Sequence, residues 1–171
     1  MLNHYDETVQ FVYSAYSFYK PSSGRSAKYK KTYRELNYSA GDPMKVHYDA
    51  DIEWEQADPA HFSGNGQVKR ISTMDEAPSI KAYRVEFEPE ARTNWHSHTG
   101  VQLLYIVEGR CRVQKWGEDV KEAGPGDIVD ILPGEKHWHG ATPGSKMTHI
   151  AVNINAKTTW MEPVSAQEYA V

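Results

Sequence analysis

The chain has 171 residues, 39% of them hydrophobic, and carries 19 Lys/Arg against 23 Asp/Glu for a formal net charge of −4. That length suits one domain with a real core, and the mild negative balance argues against a surface built for nucleic acid or anionic membranes. One cysteine, Cys111, excludes an intramolecular disulfide framework, and no stretch is apolar enough to span a bilayer or act as a secretory leader, so the expected location is cytoplasmic.

The chain changes character near Met44. Residues 1–43 hold six Lys/Arg and four Asp/Glu, a balance of about +2, while residues 44–171 hold thirteen and nineteen, about −6. The run Arg25 to Arg34 mixes basic residues with tyrosine, and it reads as a solvated arm rather than a nucleic-acid surface. A short helix over Asp6 to Tyr19 is weakly supported, because β-branched and aromatic residues crowd it. We expect an N-terminal extension over 1–43 and one domain over 44–171, with Met44 a candidate native start.

From Lys69 onward the pattern is strands and turns. Predicted strands run over Ile80 to Phe87, Asn94 to His98, Gln102 to Val107 and Cys111 to Trp116. A short one surrounds Val120, and two more cover Ile128 to Leu132 and Lys146 to Asn155. Glu108-Gly109, Gly117-Glu118, Gly124-Pro125-Gly126-Asp127 and Pro133-Gly134 are turn signals. Short strands at regular spacing point to an all-β sandwich or barrel. Ser165 followed three residues on by Glu168 predicts a capped helical turn near Ser165 to Tyr169. Trp95, Trp116 and Trp138 read as packing residues, Cys111 as a small buried one, and Arg92 and Lys136 as solvated or interfacial. His4, His47 and His61 read as exposed or capping residues, since no partner pattern surrounds them.

The chemistry concentrates at His96-Ser97-His98, followed by Gln102 and, some forty residues later, His137. Histidines spaced i, i+2 on a strand point to one face. A third imidazole and a side-chain amide oxygen complete a compact metal shell of nitrogen and oxygen donors. Without thiolate partners, that set points to a catalytic or substrate-binding centre rather than a structural zinc knot. His137 and His139 share a strand face, and His149 lies in the alternating run Met147, His149, Ala151, Asn153.

These residues resemble the two signature motifs of the cupin family. A His-x-His pair stands four residues before a ligand position, with a glycine six intervening residues further on, as in His96, His98, Gln102 and Gly109. The second motif is matched by Gly126, Asp127, Pro133, Gly134 and His137. Two departures are Gln102 where most metal cupins carry glutamate, and Leu132 where the turn usually has its first proline. The stretches Phe87 to His98, Pro133 to Ala141, Met147-Thr148-His149 and Trp160-Met161-Glu162 are similar to a narrower group, the small manganese cupins with hydroxynitrile lyase activity. The resemblance spans about residues 53–171 and leaves out 1–43.

The fold it implies is a single cupin-type double-stranded β-helix (a jelly-roll barrel) with the metal in its mouth, a short C-terminal helical tail and the N-terminal extension. The site it implies has His96, His98, Gln102 and His137 as metal ligands, with no organic cofactor. His139 would be the catalytic base, and His149 an assisting acid or substrate contact. The metal would be divalent, manganese first, with iron, nickel or zinc as alternatives. The partners implied are a small-molecule substrate and further copies of the chain in a dimer or tetramer, with no nucleic acid and no membrane. The reaction expected is cyanohydrin cleavage and formation. The competing readings are a dioxygenase-type cupin, weakened by the missing carboxylate ligand, and a non-enzymatic binding module.

Overall fold

A computed structural model describes residues 46–74 and 78–170. The extension expected over 1–43, its helix and its basic run lie outside the described residues.

Thirteen strands are described. They are β1 (Glu55–Gln56), β2 (Phe62–Ser63), β3 (Gly66–Met74), β4 (Ile80–Phe87), β5 (Arg92–Thr93), β6 (His96–His98) and β7 (Val101–Gly109). Then follow β8 (Cys111–Lys115), β9 (Lys121–Ala123), β10 (Ile128–Ile131), β11 (His137–Ala141), β12 (Met147–Ile154) and β13 (Thr158–Trp160). The chain closes on a short helix, α1 (Ala166–Ala170). All strand pairs are antiparallel. One sheet has the order β1-β3-β4-β12-β7-β10. The other runs β13-β6-β11-β5-β2, with β8 also pairing β11 and β9 pairing β8. This is the all-β jelly-roll arrangement with a C-terminal helical turn that the sequence implies.

Period-2 alternation decides which side chains face inward. On β12, Met147, His149, Ala151 and Asn153 are buried while Ile150, Val152 and Ile154 are only half-buried. On β7, Gln102, Leu104 and Ile106 are buried and Tyr105 and Val107 are exposed. Val85, Phe87, Leu104, Ile106, Met147 and Ala151 belong to one apolar cluster inside the barrel. All five residues of β11 are buried, because it is paired along both edges and covered on both faces. Gly109 ends β7 at φ +73°, and a Cβ there would lie 1.8 Å from the Lys146 carbonyl oxygen. Only glycine allows β7 and β12 to approach so closely at that backbone angle.

The strand Ile80–Phe87 coincides with its predicted span. The strand expected from Asn94 begins instead at His96. Asn94 spends its backbone N–H on the His61 carbonyl (2.7 Å) and its side-chain amide on that of Ala60 (2.9 Å), which ties it to a loop rather than a ladder. The strand expected around Val120 starts one residue later, at Lys121. Trp95 and Trp138 are buried as expected. Trp116 is not: it is 54% exposed, standing edge-on to Trp95 with the Lys136 ammonium 3.5 Å above its ring centre. Lys136 is held there by an ion pair with Glu162.

The tail closes the outer side of β11. Ser165 and Glu168 form the reciprocal capping box, with Ser165 N donating to Glu168 Oε2 (2.8 Å) and Glu168 N to Ser165 Oγ (3.2 Å). Tyr169 packs on Trp138, with ring centres 5.7 Å apart, and its hydroxyl donates to the Ala141 carbonyl at 2.6 Å. The Arg92 guanidinium sits 4.4 Å from the Tyr169 ring centre, and Arg112 donates to the Tyr169 carbonyl at 2.7 Å. The last residues of the described chain therefore brace the strand that carries two central histidines. Replacing Tyr169 by Phe leaves the Ala141 carbonyl without this donor. It should cost about 1–2 kcal/mol in urea unfolding, with an unchanged denaturant slope.

Candidate metal centre

Five histidines, His96, His98, His137, His139 and His149, are buried together between the two sheets. Strand pairing brings them there: His137 faces His96 across β11–β6, and His98 faces Thr158 across β6–β13. His139 sits on β11 two residues from His137, and His149 arrives from the opposite sheet. Ring centres are 4.1 Å apart for His96–His137, 5.0 Å for His96–His98 and 4.9 Å for His139–His149.

Each of the three histidines read as ligands is tied down through Nδ1. His96 Nδ1 is 2.9 Å from the Asn94 carbonyl, and His137 Nδ1 is 2.9 Å from that of Glu135. A carbonyl only accepts, so both Nδ1 atoms carry the proton and both Nε2 atoms present a lone pair. His98 Nδ1 meets the Thr158 hydroxyl at 3.1 Å, and its Nε2 is buried with no hydrogen-bond partner among the described residues. Pinning one ring nitrogen so that the other points at a cation is how proteins orient metal-binding histidines.

Gln102 completes the set. Its amide nitrogen donates to Asn153 Oδ1 at 2.9 Å, which turns Oε1 toward His137 Nε2 at 3.2 Å. With Nδ1 already protonated, that Nε2 and the amide oxygen are two acceptors facing each other. A cation between them relieves the conflict, so the donor set fits a divalent metal. The tightest imidazole trio, with ring nitrogens all within 4.8 Å, is His96, His137 and His139. It therefore includes the residue read as the base and leaves out His98.

His139 and His149 form a pair of their own. His139 Nδ1 is 3.3 Å from His149 Nε2, and Phe87 lies against both rings. Thr93 fixes the backbone here, accepting from His139 N at 3.1 Å. Burial is the leading cause that pushes every imidazole in the cluster down. His96 and His139 lie well below the ordinary histidine range, and His137 and His149 fall to about 4. Neighbouring imidazoles push the same way, His137 on His96 and His149 on His139. All are neutral at pH 7 and able to accept a proton or a cation. Cys111 is buried elsewhere in the core, its thiol pushed up to about 12 by burial, and offers no thiolate.

A cavity of about 360 Å³ opens onto the cluster and is lined by His96, His98, Gln102, His139 and His149. A larger open depression of about 1010 Å³ runs over Gly66, Glu86 and Lys146 and carries no imidazole. His61 also lines the histidine cavity, which its reading as an exposed or capping residue missed. It stacks on Trp160 (4.5 Å, 12° between planes), and Trp160 in turn lies 4.7 Å from His96. Asp58 sits 3.5 Å from its Nδ1. Only the strand ladders bring His61 and Trp160 together, so no local signal marked it. His47 is exposed as expected, and His4 lies outside the described residues.

Residues 83–153 match the Cupin domain family. The chain is 42% identical over 111 residues to an (R)-mandelonitrile lyase from Granulicella tundricola, covering 63% of this chain and 85% of that one. The chain belongs to the cupin family. Among solved structures, this cupin is similar to a cupin-like protein from Thermotoga maritima, with 32% identity and a TM-score of 0.63 over 75% of this chain and 95% of that one. The polyketide cyclase RemF from Streptomyces resistomycificus shares the fold, at 21% identity and a TM-score of 0.59 over 74% and 91% of the two chains. The lyase relative supports reading this cupin as an enzyme, and the imidazole cluster supports a divalent metal.

The depressed histidines link the site to stability. Below about pH 6.5 the unfolded chain binds protons that the folded, metal-free cupin refuses, so stability rises with pH from about 4 to 6.5. We expect metal-stripped protein to lose several kcal/mol as pH falls through that window. Urea unfolding at pH 7.0, 6.0 and 5.0 in the presence of chelator checks this.

Proposed function

We propose that this cupin is a divalent-metal lyase that cleaves and forms cyanohydrins, with manganese as its metal. The observation that carries the reading is a neutral imidazole–amide donor set beside a second, buried imidazole pair, with His96, His98 and Gln102 of the first and both members of the second lining one small cavity. The lyase relative supports the reaction type.

In this reading His96, His98, Gln102 and His137 hold the metal. Bound there, it supplies Lewis acidity toward the substrate hydroxyl, undiminished by any carboxylate ligand. His139 is the base, accepting the hydroxyl proton at Nε2. Its Nδ1, 3.3 Å from His149 Nε2, passes the growing positive charge to a second imidazole. Breaking the C–C bond then yields the aldehyde carbonyl and cyanide, which takes up a proton to leave as HCN. Phe87, itself buried, packs against both rings of the proton-transfer pair. Run in reverse, the same groups add cyanide to an aldehyde.

The trio His96, His137 and His139 favours a second assignment, in which His139 is a ligand and His149 the base. One variant separates the two. Purified manganese-loaded His139→Ala, assayed for benzaldehyde release from mandelonitrile, should fall at least about 100-fold while keeping its metal. Loss of the metal together with activity would make His139 a ligand. Unchanged cleavage would remove it from the chemistry. A dioxygenase would instead consume oxygen on an electrode, and a binding module would bind mandelonitrile without turnover.

A further inference from the structure

We infer that the cavity recognises a carboxylate on its substrate, with Arg70 as the anchor. The inference deepens the small-molecule reading above and rests on it. Arg70 lies on β3 directly opposite Tyr83 of β4. Two residues earlier Val68 faces Val85, which is buried in the barrel, so alternation puts Arg70 and Tyr83 on the cavity side. Both residues line the histidine cavity. The Arg70 guanidinium is solvent-exposed at the cavity wall, so it stays charged and within reach of an entering anion. Its carbon lies 5.8 Å from the Tyr83 ring centre, a contact that positions the head group without neutralising it. A register shift falls between Arg70 and Ser72, and such bulges re-aim a side chain next to functional sites.

No carboxylate among the described residues pairs with Arg70, although Lys69, Arg84, Arg110 and Arg112 are all paired. Two acids, Glu55 and Asp58, also line the cavity, and neither pairs with Arg70. Asp58 accepts from Ala60 N at 2.9 Å and faces His61 at 3.5 Å. Glu55 sits opposite Val68 on β1 and makes no ion pair with Arg70. Among the cavity-lining residues Arg70 is the only fixed cation, and the deep lining of imidazoles, Gln102, Asn153 and threonines is uncharged. A carboxylate entering the cavity therefore has one place to go apart from a metal.

The geometry also sets the spacing. Arg70, Tyr83 and Ala151 lie in one cross-strand row over β3, β4 and β12. That places the Arg70 backbone about 10 Å from β12, which carries His149. The class that fits is a small aldehyde, ketone or hydroxy compound with its carboxylate remote from the reacting carbon, separated by a ring or short chain.

The test uses the full-length, manganese-loaded protein and two probes, 4-formylbenzoate and its methyl ester, with dissociation constants from titration calorimetry. Wild type should bind the acid at least tenfold more tightly than the ester. In Arg70→Gln that preference should collapse to within twofold, and Arg70→Lys should retain part of it. Arg70 is exposed, and circular dichroism of both variants checks that they fold. An unchanged preference in Arg70→Gln would overturn the inference, because the carboxylate would then be held elsewhere. So would equal binding of acid and ester, or no binding of either, by wild type. Because the readout is binding, absence of cyanohydrin turnover with the preference intact would remove only the reaction proposed above.

Discussion

The centre depends on three hydrogen bonds that are not part of it. The Asn94 and Glu135 carbonyls and the Thr158 hydroxyl each take one ring nitrogen of His96, His137 and His98. A neutral imidazole has one donor and one acceptor, so committing Nδ1 fixes what Nε2 can do. The barrel supplies these partners from loop carbonyls at either end of the histidine strands and from β13. The two carbonyls thus choose the tautomers of His96 and His137 before any substrate or cation arrives, while the Thr158 hydroxyl orients the His98 ring. Without those bonds the rings could rotate and swap roles, and the cluster would be only a polar flaw in a core.

A core with five neutral imidazoles and no carboxylate has a particular electrostatic character. Burial holds all five unprotonated at neutral pH, so each can accept a proton or donate a lone pair. Gln102 preserves that neutrality where an acid would cancel part of a metal's charge. The His139–His149 contact adds a route for charge to spread within the pocket. The tail helix matters for the same reason: Tyr169 and Trp138 brace β11, the strand on which His137 and His139 stand.

Much of this was legible in the sequence because it is local. Ile80–Phe87 alternates visibly, and the Ser165/Glu168 spacing announced its own cap. His96, His98, Gln102 and His137 stand out in the sequence because the i, i+2 pair and the turn before His137 are short-range patterns, and the structure buries all four. What escaped depends on pairing between distant strands. Thr158 supports His98 across sixty residues, and His61 reaches the cavity only by stacking on Trp160. Trp116 stays exposed, standing edge-on to Trp95 with Lys136, itself held by Glu162, over its ring. Arg70 carries no motif, and its place on the cavity wall follows from its register against Tyr83.

The most direct test of the central claim is metal content by mass spectrometry on untagged protein purified without added metal. It should be run beside a His96→Ala/His98→Ala variant and a Thr158→Val variant. The account predicts near-stoichiometric divalent metal in the wild type and none in the double variant. It predicts a roughly 10- to 100-fold weaker affinity in Thr158→Val, as expected when a histidine loses the partner that orients it. Wild-type protein that holds no metal and takes none up on titration would contradict it.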